Sequence, residues 1–390
     1  MHLSDRIQRI ADSATMAVTQ AARDLRAQGR DVISLSVGEP DFAPPQHILD
    51  AASQAMAEGH TGYTAADGIP ALKDAIIAKF ARDNALSFSR SEISVAPGGK
   101  AVLWNALAVT VGPGDEVIIP TPCWVSYPDM VRMTGATPIL VKGGPDFKIT
   151  PEALSDAVTR NTRWLILNSP GNPTGAVYCA AELEALAEVL RAHPEIMVLS
   201  DDIYEHLVYG DADFATLAQV APDLAERVLT MNGVSKAYAM TGFRIGYAGG
   251  PEWLIAAMRK FIGQTTSCPA APSQWAAVAA LNGDHGFLTE WRQTYRARGI
   301  ALRTSLEKTG LRGAQPDGAF YLFLDCQEAM ARAGFRTDSD LAMAILQEAG
   351  VATVPGSAFH APGYLRLSYA ASMESLMSAA DRITDYLASD

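Results

Sequence analysis

Strand-like apolar runs alternate with helical patterns over residues 93–231 of the chain. The clearest runs are Ile93 to Val95, Asp115 to Pro120, Trp164 to Asn168, Met197 to Asp201 and Val228 to Met231. Strands that alternate with helices in this way predict an open α/β sheet. Ligands bind such sheets in the crevice outside the C-terminal ends of the strands. We therefore expect the functional residues to follow the strand ends.

Composition sets the class of protein. At 390 residues the chain exceeds the size of a single hydrophobic core, so two domains are expected. Hydrophobic residues make up 48% and charged residues 19%, which is typical of a globular protein. A formal net charge of −12 argues against a nucleic-acid partner or an anionic membrane surface.

Targeting and metal-binding patterns are not found in the sequence. The first ten residues are polar and mixed in charge, without the apolar segment of a signal peptide. No apolar run approaches the roughly 20 residues that span a bilayer. The histidines are scattered without metal-ligand spacing, and the four cysteines lie far apart, as expected for reduced thiols. We expect a cytoplasmic protein without a metal.

One lysine and one arginine lie between two strand-like runs, Val228 to Met231 and Ile245 to Ala248. Partial desolvation in such a place would lower the pKa of Lys236 and make its amine a nucleophile toward carbonyls. Arg244 keeps its charge and suits a phosphate, to which the Ser235 hydroxyl can also donate. An aldehyde and a phosphate together describe pyridoxal 5'-phosphate. The alternative is a surface lysine in a turn and a salt-bridged arginine.

The segment from Ser235 to Tyr247 reads S-K-x-x-x-M-T-G-x-R-I-G-Y. It resembles the cofactor-lysine segment of the class I/II aminotransferases, and further motifs follow in the expected order from about Gly38 to Arg366. The resemblance implies a fold type I transferase, which has a mostly parallel seven-stranded sheet in a large domain and a smaller α+β domain. It implies an antiparallel strand after Lys236. It places the arm and part of the small domain at 1–45, the large domain at 46–285 and the small domain at 286–390.

The same resemblance assigns residues to the cofactor ring. Trp124 stacks on the pyridine ring, and Asn172 lies beside the phenolic oxygen and the substrate carboxylate. Of two adjacent aspartates, the D-x-x-Y spacing selects Asp201 for the pyridine nitrogen and leaves Asp202 as the solvent-side neighbour. Tyr204 donates to the phenolic oxygen. Taken alone, Trp124 could be a core residue and Asn172 part of a plain turn.

The phosphate end is indicated by a strand, two glycines and a helix. The run Ile93 to Val95 is followed by Gly98, Gly99 and Lys100, and then by a helical pattern that ends at Gly112. This order places free backbone N–H groups at a helix N-terminus, where an anion binds. We expect the amides of Gly99 and Lys100 to bind the phosphate.

Two loop residues receive roles from the resemblance alone. Gly38, in the G-E-P-D-F loop, lies over the substrate, where a side chain would interfere. Tyr63 reaches from one subunit to the cofactor phosphate of the other, which requires a homodimer with shared active sites. On residue type alone, Gly38 could be an ordinary turn glycine and Tyr63 an ordinary packing residue.

The C-terminal part predicts a long helix from Gly286 to Glu307 and a small sheet built from residues 317–324, 351–354 and 364–369. Arg366 lies inside the last of these apolar strands and needs an anionic partner. That partner could be an internal carboxylate. The resemblance instead makes this arginine the bidentate clamp for the substrate α-carboxylate, which suits its planar fork.

The sequence therefore predicts an aminotransferase. Its substrates would be an L-amino acid and a 2-oxo acid such as 2-oxoglutarate, and Lys236 would form the Schiff base and transfer the proton. A β-lyase or β-decarboxylase on the same scaffold would share every cofactor residue. A regulator that binds pyridoxal phosphate is disfavoured by the net acidity and by the short segment before the first strand.

The amino donor is predicted less directly. In one branch of aspartate aminotransferases an arginine holds the distal carboxylate, but the segment Phe261 to Pro269 contains none. The chain more closely resembles the aspartate/prephenate aminotransferase subgroup, with Gly-Gly-Lys at the phosphate turn and Thr15 near the N-terminus. Lys100 could then hold a dicarboxylate. Aspartate is favoured, and aromatic or prephenate-type substrates stay open.

Overall fold

The computed structural model describes residues 3–10, 14–210 and 212–388, and the side chains of residues 14 and 15 lie outside that description. The twelve strands are β1 Ile33–Ser34, β2 Ile93–Ala96, β3 Glu116–Thr121, β4 Thr137–Lys142, β5 Thr162–Asn168, β6 Met197–Asp201, β7 Val228–Gly233, β8 Gly246–Gly249, β9 Tyr321–Asp325, β10 Val351–Ala352, β11 Val354–Pro355 and β12 Tyr364–Ser368.

Fifteen α-helices of the described residues surround these strands. They are α1 Asp5–Gln8, α2 Ala14–Ala27, α3 Gln46–Ala57, α4 Pro70–Asn84, α5 Gly99–Thr110, α6 Ser126–Thr134, α7 Pro151–Ala157, α8 Ala180–Arg191, α9 Leu217–Val220, α10 Glu252–Thr265, α11 Ala271–Asn282, α12 Phe287–Leu306, α13 Gln327–Arg332, α14 Asp338–Ala344 and α15 Met373–Ala388. In the described part of the chain, no helix is both long enough and apolar enough for a bilayer.

Seven strands form the central sheet, in the order β2-β8-β7-β6-β5-β3-β4. Strand β8 runs antiparallel to both of its neighbours, and the other pairs are parallel. Parallel strands need crossover helices, which cover both faces of the sheet and explain the continuous apolar character of β5, β6 and β7. The predicted mostly parallel seven-stranded sheet and the antiparallel strand after Lys236 are both confirmed.

A second, antiparallel sheet has the order β11-β12-β9. Arg366 lies in its central strand, opposite Val354 on one side and Phe323 on the other. The expected single strand 351–354 is divided: β10 pairs in parallel with β1 near the N-terminus, and β11 pairs with β12. The strand divides because its two halves bond to different partners.

A buried ion pair holds the segment that follows β6. Lys79 of α4 is 0% exposed; it pairs with Glu205 and donates to the Asn84 side chain over 2.7 Å. Asp83 and His206 complete the cluster. The Lys79 ammonium supplies the cation that these carboxylates need, and the cluster fixes the backbone immediately after Tyr204 and Asp201. The four cysteines are free thiols.

Candidate active site

A cavity of about 440 Å³ opens at the C-terminal ends of β5, β6 and β7, where the alternating pattern predicts a ligand. Eleven of the twelve residues proposed from the sequence line it: Gly38, Gly99, Lys100, Trp124, Asn172, Asp201, Tyr204, Ser235, Lys236, Arg244 and Arg366. The twelfth, Tyr63, is 92% exposed and lies outside the lining. Residues from seven separate stretches of chain therefore meet at one place.

Lys236 follows β7, and its side-chain amine lies in the cavity. Its Nζ donates to the backbone oxygen of Gly38 over 2.6 Å. Burial lowers the pKa of Lys236 to about 8. The Glu39 carboxylate opposes this shift, whereas the guanidinium groups of Arg366 and Arg244 add to it. The sequence-based expectation of a desolvated lysine with a lowered pKa is met.

The N-terminus of α5 forms an anion cradle. The helix begins at Gly99, and its first amides have no acceptor within the helix. The residue before it, Gly98, has a φ of 92°, and a Cβ there would collide with the guanidinium of Arg244. Arg244 also donates to the backbone oxygen of Thr241 over 2.8 Å, and the buried Ser235 lines the same end of the cavity. Glycine is thus required for the arginine to approach the helix N-terminus.

Asp201 stands at the end of β6. Its Oδ2 accepts a hydrogen bond from Tyr127 Oη over 2.5 Å, and its Oδ1 accepts one from the Ile203 N–H over 3.3 Å. Burial raises the pKa of Asp201 to about 6, against the effect of these two donors and of the Lys236 ammonium. A cation at this carboxylate would stabilise its charged form.

Asp202 does not face solvent, and that expectation was wrong. Its side chain is 1% exposed and accepts a hydrogen bond from Ser200 Oγ over 2.7 Å. Burial raises the pKa of Asp202 to about 7. Successive residues of a strand point to opposite faces, and both faces of a parallel sheet are covered. Asp201 therefore points into the cavity, whereas Asp202 points under the segment that carries Thr216.

Arg366 is 3% exposed and has no carboxylate partner among the residues that the structure describes. Its Nη1 donates to Asn172 Oδ1 over 3.0 Å and its Nη2 to the Ser36 backbone oxygen over 2.6 Å, while Nε has no partner. Burial lowers the pKa of Arg366. The alternative of an internal salt bridge is thus not supported. A buried guanidinium without a counterion is suited to an anion that enters from outside.

Lys100 and Trp124 lie side by side in the cavity lining. The Lys100 Nζ lies 4.9 Å from the centroid of the Trp124 ring. Burial lowers the pKa of Lys100, and the positive charge of Arg244 lowers it further. Thr15, which was named for its resemblance to the subgroup, lies outside the described side chains.

Several lining residues were missed by sequence reasoning, among them Tyr127, Asn168 and Tyr321. Asn168 donates to the backbone oxygen of Asp201 over 2.9 Å and accepts from the Asn172 N–H, also over 2.9 Å, so it joins two strand ends. Position at a strand end was the available signal for Asn168. Tyr127 and Tyr321 act through hydroxyls that reach across from other elements, for which sequence spacing gives no signal.

The residues present fit pyridoxal phosphate. A desolvated amine suits its aldehyde, the α5 N-terminus with Ser235 and Arg244 suits its phosphate, and a buried carboxylate suits its ring nitrogen. The requirement for Gly98 beside Arg244 is independent support, because that glycine makes room for an arginine aimed at the helix N-terminus. Fold and site together define a protein of fold type I whose cavity fits this cofactor.

Comparison with known proteins identifies the family. The family model "Aminotransferase class I and II" matches residues 30–383. The aspartate/prephenate aminotransferase of Cereibacter sphaeroides is 49% identical, with 99% of this chain and 98% of that protein covered. The aspartate aminotransferase of Geobacillus stearothermophilus is 47% identical, with 99% of each chain covered. The chain belongs to the class I and II aminotransferases.

Solved structures agree with this assignment. The aspartate aminotransferase of Rhizobium meliloti superposes with a TM-score of 0.96 at 45% identity, covering 100% of this chain and 99% of that one. That of Thermus thermophilus gives 0.94 at 42% identity, with 99% of each chain covered. Because the relatives are aminotransferases matched along nearly their whole length, the protein is an enzyme, and the alternative of a regulator is set aside.

Proposed function

We propose that this aminotransferase holds pyridoxal phosphate on Lys236 and moves the amino group of L-aspartate to a 2-oxo acid such as 2-oxoglutarate. The observation that carries the proposal is the meeting, in one cavity, of a lysine whose pKa burial lowers to about 8 and a buried arginine that has no carboxylate partner among the described residues. The first suits an aldehyde, and the second suits the carboxylate that every amino acid carries.

Bound pyridoxal phosphate supplies an aldehyde and a ring that withdraws electrons from the substrate Cα. The protein would hold the group at its phosphate, at its ring nitrogen and at its phenolic oxygen. The amides of Gly99 and Lys100, with Ser235 and Arg244, would bind the phosphate. Asp201 would hold a proton on the ring nitrogen, because a buried carboxylate stabilises a cation beside it.

The remaining residues would act on the ring oxygen and the reacting proton. Tyr204 and Asn172 would bind the phenolic oxygen of the ring, and Trp124 would pack on its face. Lys236 Nζ, freed when the substrate amine takes its place, would remove the proton from Cα as a general base. A lowered pKa suits this step, because part of the lysine is then neutral near pH 7.

The substrate would be held by two cations. Arg366 would take the α-carboxylate through its fork, and the Asn172 side chain beside it would keep the fork in place. Lys100 would take the distal carboxylate of aspartate. Relatives named aspartate aminotransferase and aspartate/prephenate aminotransferase support both this donor and a second candidate, a prephenate-type acceptor, which carries a second carboxylate too.

Lys100→Ala tests the distal contact. It should lower kcat/KM for aspartate and glutamate by about tenfold to a hundredfold and spare alanine and phenylalanine, because only the dicarboxylates need a second cation. The backbone amide of residue 100 survives, so cofactor binding persists. The measurement is kcat/KM for these four donors with 2-oxoglutarate as the acceptor. Lys308→Ala, at an exposed lysine outside the cavity lining, is the control.

An equal loss for all four donors would mean that the Lys100 side chain serves the phosphate or the fold. The same assays, run with and without 2-oxoglutarate, separate the transferase from a β-lyase or β-decarboxylase on this scaffold. Either of those activities would consume the amino acid without any 2-oxo acid acceptor, whereas a transaminase requires one for continued turnover.

The active unit is proposed to be a homodimer with shared sites. Tyr63 is almost fully exposed, and it lies on a loop outside its own chain's cavity lining. A second copy would bring it to the phosphate.

The free thiols support the cytoplasm as the compartment. The seven-stranded sheet lies within residues 93–249 and the three-stranded sheet within residues 321–368, which supports a domain limit at 285/286. The pairing of β1 with β10 joins the N-terminal segment to the C-terminal part, which supports a limit at 45/46.

Mixing Tyr63→Phe subunits with Lys236→Ala subunits tests the shared site. In the mixed dimer one site carries both changes and the other carries neither, so about one site per dimer should regain full activity. The measurement is the specific activity of isolated, differently tagged heterodimers. Heterodimers with half the activity of the Tyr63→Phe homodimer, rather than half that of the unaltered enzyme, would contradict the arrangement.

A further inference from the structure

Tyr321, the first residue of β9, contacts three parts of the active site at once. Its hydroxyl lies 2.7 Å from the hydroxyl of Tyr204. The guanidinium carbon of Arg366 lies 4.6 Å from the centroid of its ring. A Cβ on Gly38 would collide with its hydroxyl, and the Gly38 carbonyl accepts the hydrogen bond from Lys236.

Both phenols are neutral donors. Burial raises the pKa of Tyr204 well above its ordinary value and also raises that of Tyr321. The charged and titratable groups facing the pair are Arg366, Asp201 and Lys236, whose Nζ lies 5.9 Å from the centroid of the Tyr204 ring. Each hydroxyl carries a single proton, so the direction of the bond between them decides which hydroxyl can donate elsewhere.

The direction follows from the site. The proposed function requires Tyr204 to donate its proton into the cavity, to the phenolic oxygen of the cofactor. Tyr204 then has only acceptor capacity toward Tyr321, so Tyr321 must be the donor. A hydroxyl that accepts one hydrogen bond becomes a stronger donor in the next, because such chains polarise one another.

We propose that Tyr321 is a positioning residue that donates its proton to Tyr204 and thereby directs the Tyr204 proton at the phenolic oxygen of the cofactor. The inference rests on the proposed function. The ring of Tyr321 packs on Arg366. The Tyr321 side chain therefore contacts both Tyr204, which would bind the ring oxygen of the cofactor, and Arg366, which would bind the substrate carboxylate.

Tyr321→Phe separates the two contacts, since it removes the hydroxyl and keeps the ring. With weaker donation from Tyr204, the phenolic oxygen holds its proton more tightly. The pKa read from the visible absorption of the bound cofactor should therefore rise by about 0.3 pH unit, because the Tyr204 bond is weakened by a fraction and not lost. The kcat should fall by about fivefold, whereas KM for aspartate should stay unchanged because the ring still packs on Arg366.

A double-mutant cycle with Tyr204→Phe makes the test specific. If Tyr321 acts through Tyr204, the double variant should show the same absorption pKa as Tyr204→Phe alone. Tyr369→Phe is the matched control: Tyr369 is equally buried in the same apolar cluster, and its hydroxyl donates to the Ala319 backbone oxygen outside the cavity lining. This control should leave the absorption pKa unchanged.

An absorption pKa in Tyr321→Phe equal to that of the unaltered holoenzyme would overturn the proposal, as would additive shifts in the cycle. If Tyr321→Phe loses the cofactor, Gly38→Ala displaces the same hydroxyl from the other side, and an unchanged pKa there also refutes the role. Failure of the proposed function is distinguishable, because the unaltered protein would then show no titrating visible band at all.

Discussion

Replacing Lys236 with alanine is expected to lower kcat for transamination by about four orders of magnitude, because the variant loses both the amine that holds the cofactor and the general base. The measurement is turnover of aspartate and 2-oxoglutarate with the cofactor in excess. Lys260→Ala, at an exposed lysine of α10 outside the cavity lining, should behave like the unaltered enzyme. In the unaltered holoenzyme, borohydride should attach the cofactor to Lys236, and attachment to another lysine would refute the assignment.

The lowered pKa of Lys236 can also be measured in the cofactor-free protein. With a pKa of about 8, the fraction of Lys236 in the neutral form rises about tenfold between pH 7 and pH 9 and then levels off. An ordinary lysine, with a pKa near 10.4, would gain about a hundredfold over the same range without levelling off. The rate of capture of pyridoxal, which lacks the phosphate, reports the difference. A rate that continues to rise steeply beyond pH 9 would contradict a desolvated amine.

Arg366→Lys should lower kcat/KM by about a hundredfold for every amino donor, whatever its side chain. An ammonium keeps the charge but cannot reproduce the two parallel hydrogen bonds of the guanidinium, and a lost contact of this kind in a buried site is worth about 3 kcal/mol. The measurement is kcat/KM for aspartate, alanine and phenylalanine. Arg312→Lys, at an exposed arginine paired with Glu328, is the matched control.

Two results would contradict the role of Arg366. A loss confined to the dicarboxylates would move this arginine to the distal end of the substrate. Activity within about threefold of the unaltered enzyme would mean that the single charge suffices and that fork geometry is not used. The contrast with Lys100→Ala, which should discriminate among donors, makes the pair of variants more informative than either one.

The sequence predicted the parts of this protein that depend on local order. The lysine and arginine between two strands, the glycines before α5 and the polar residues after β5 and β6 all lie where the pattern indicated. Each is adjacent in the chain to the element that positions it. Strand alternation then fixes the end of the sheet at which they meet.

Features that depend on contacts between distant segments were not predictable in this way. The burial of Asp202 depends on the segment around Thr216, which covers the far face of β6. Tyr127 and Tyr321 reach Asp201 and Tyr204 from elements 74 and 117 residues away in sequence. A tyrosine hydroxyl carries no spacing signal, because its partner is chosen by packing rather than by periodicity.

The reversal of β8 has a consequence for how this chain can diverge. Because β7 and β8 are antiparallel neighbours, with Gly233 opposite Gly246, the chain leaves and re-enters the sheet at the same end of the strands, and one connection carries both Lys236 and Arg244. An insertion within residues 234–245 would disturb both at once. The Lys100 side chain, which we propose holds the distal carboxylate, comes from a separate segment and can change alone. Substrate preference can therefore drift by single substitutions, whereas the segment that we propose holds the cofactor must be kept as one unit.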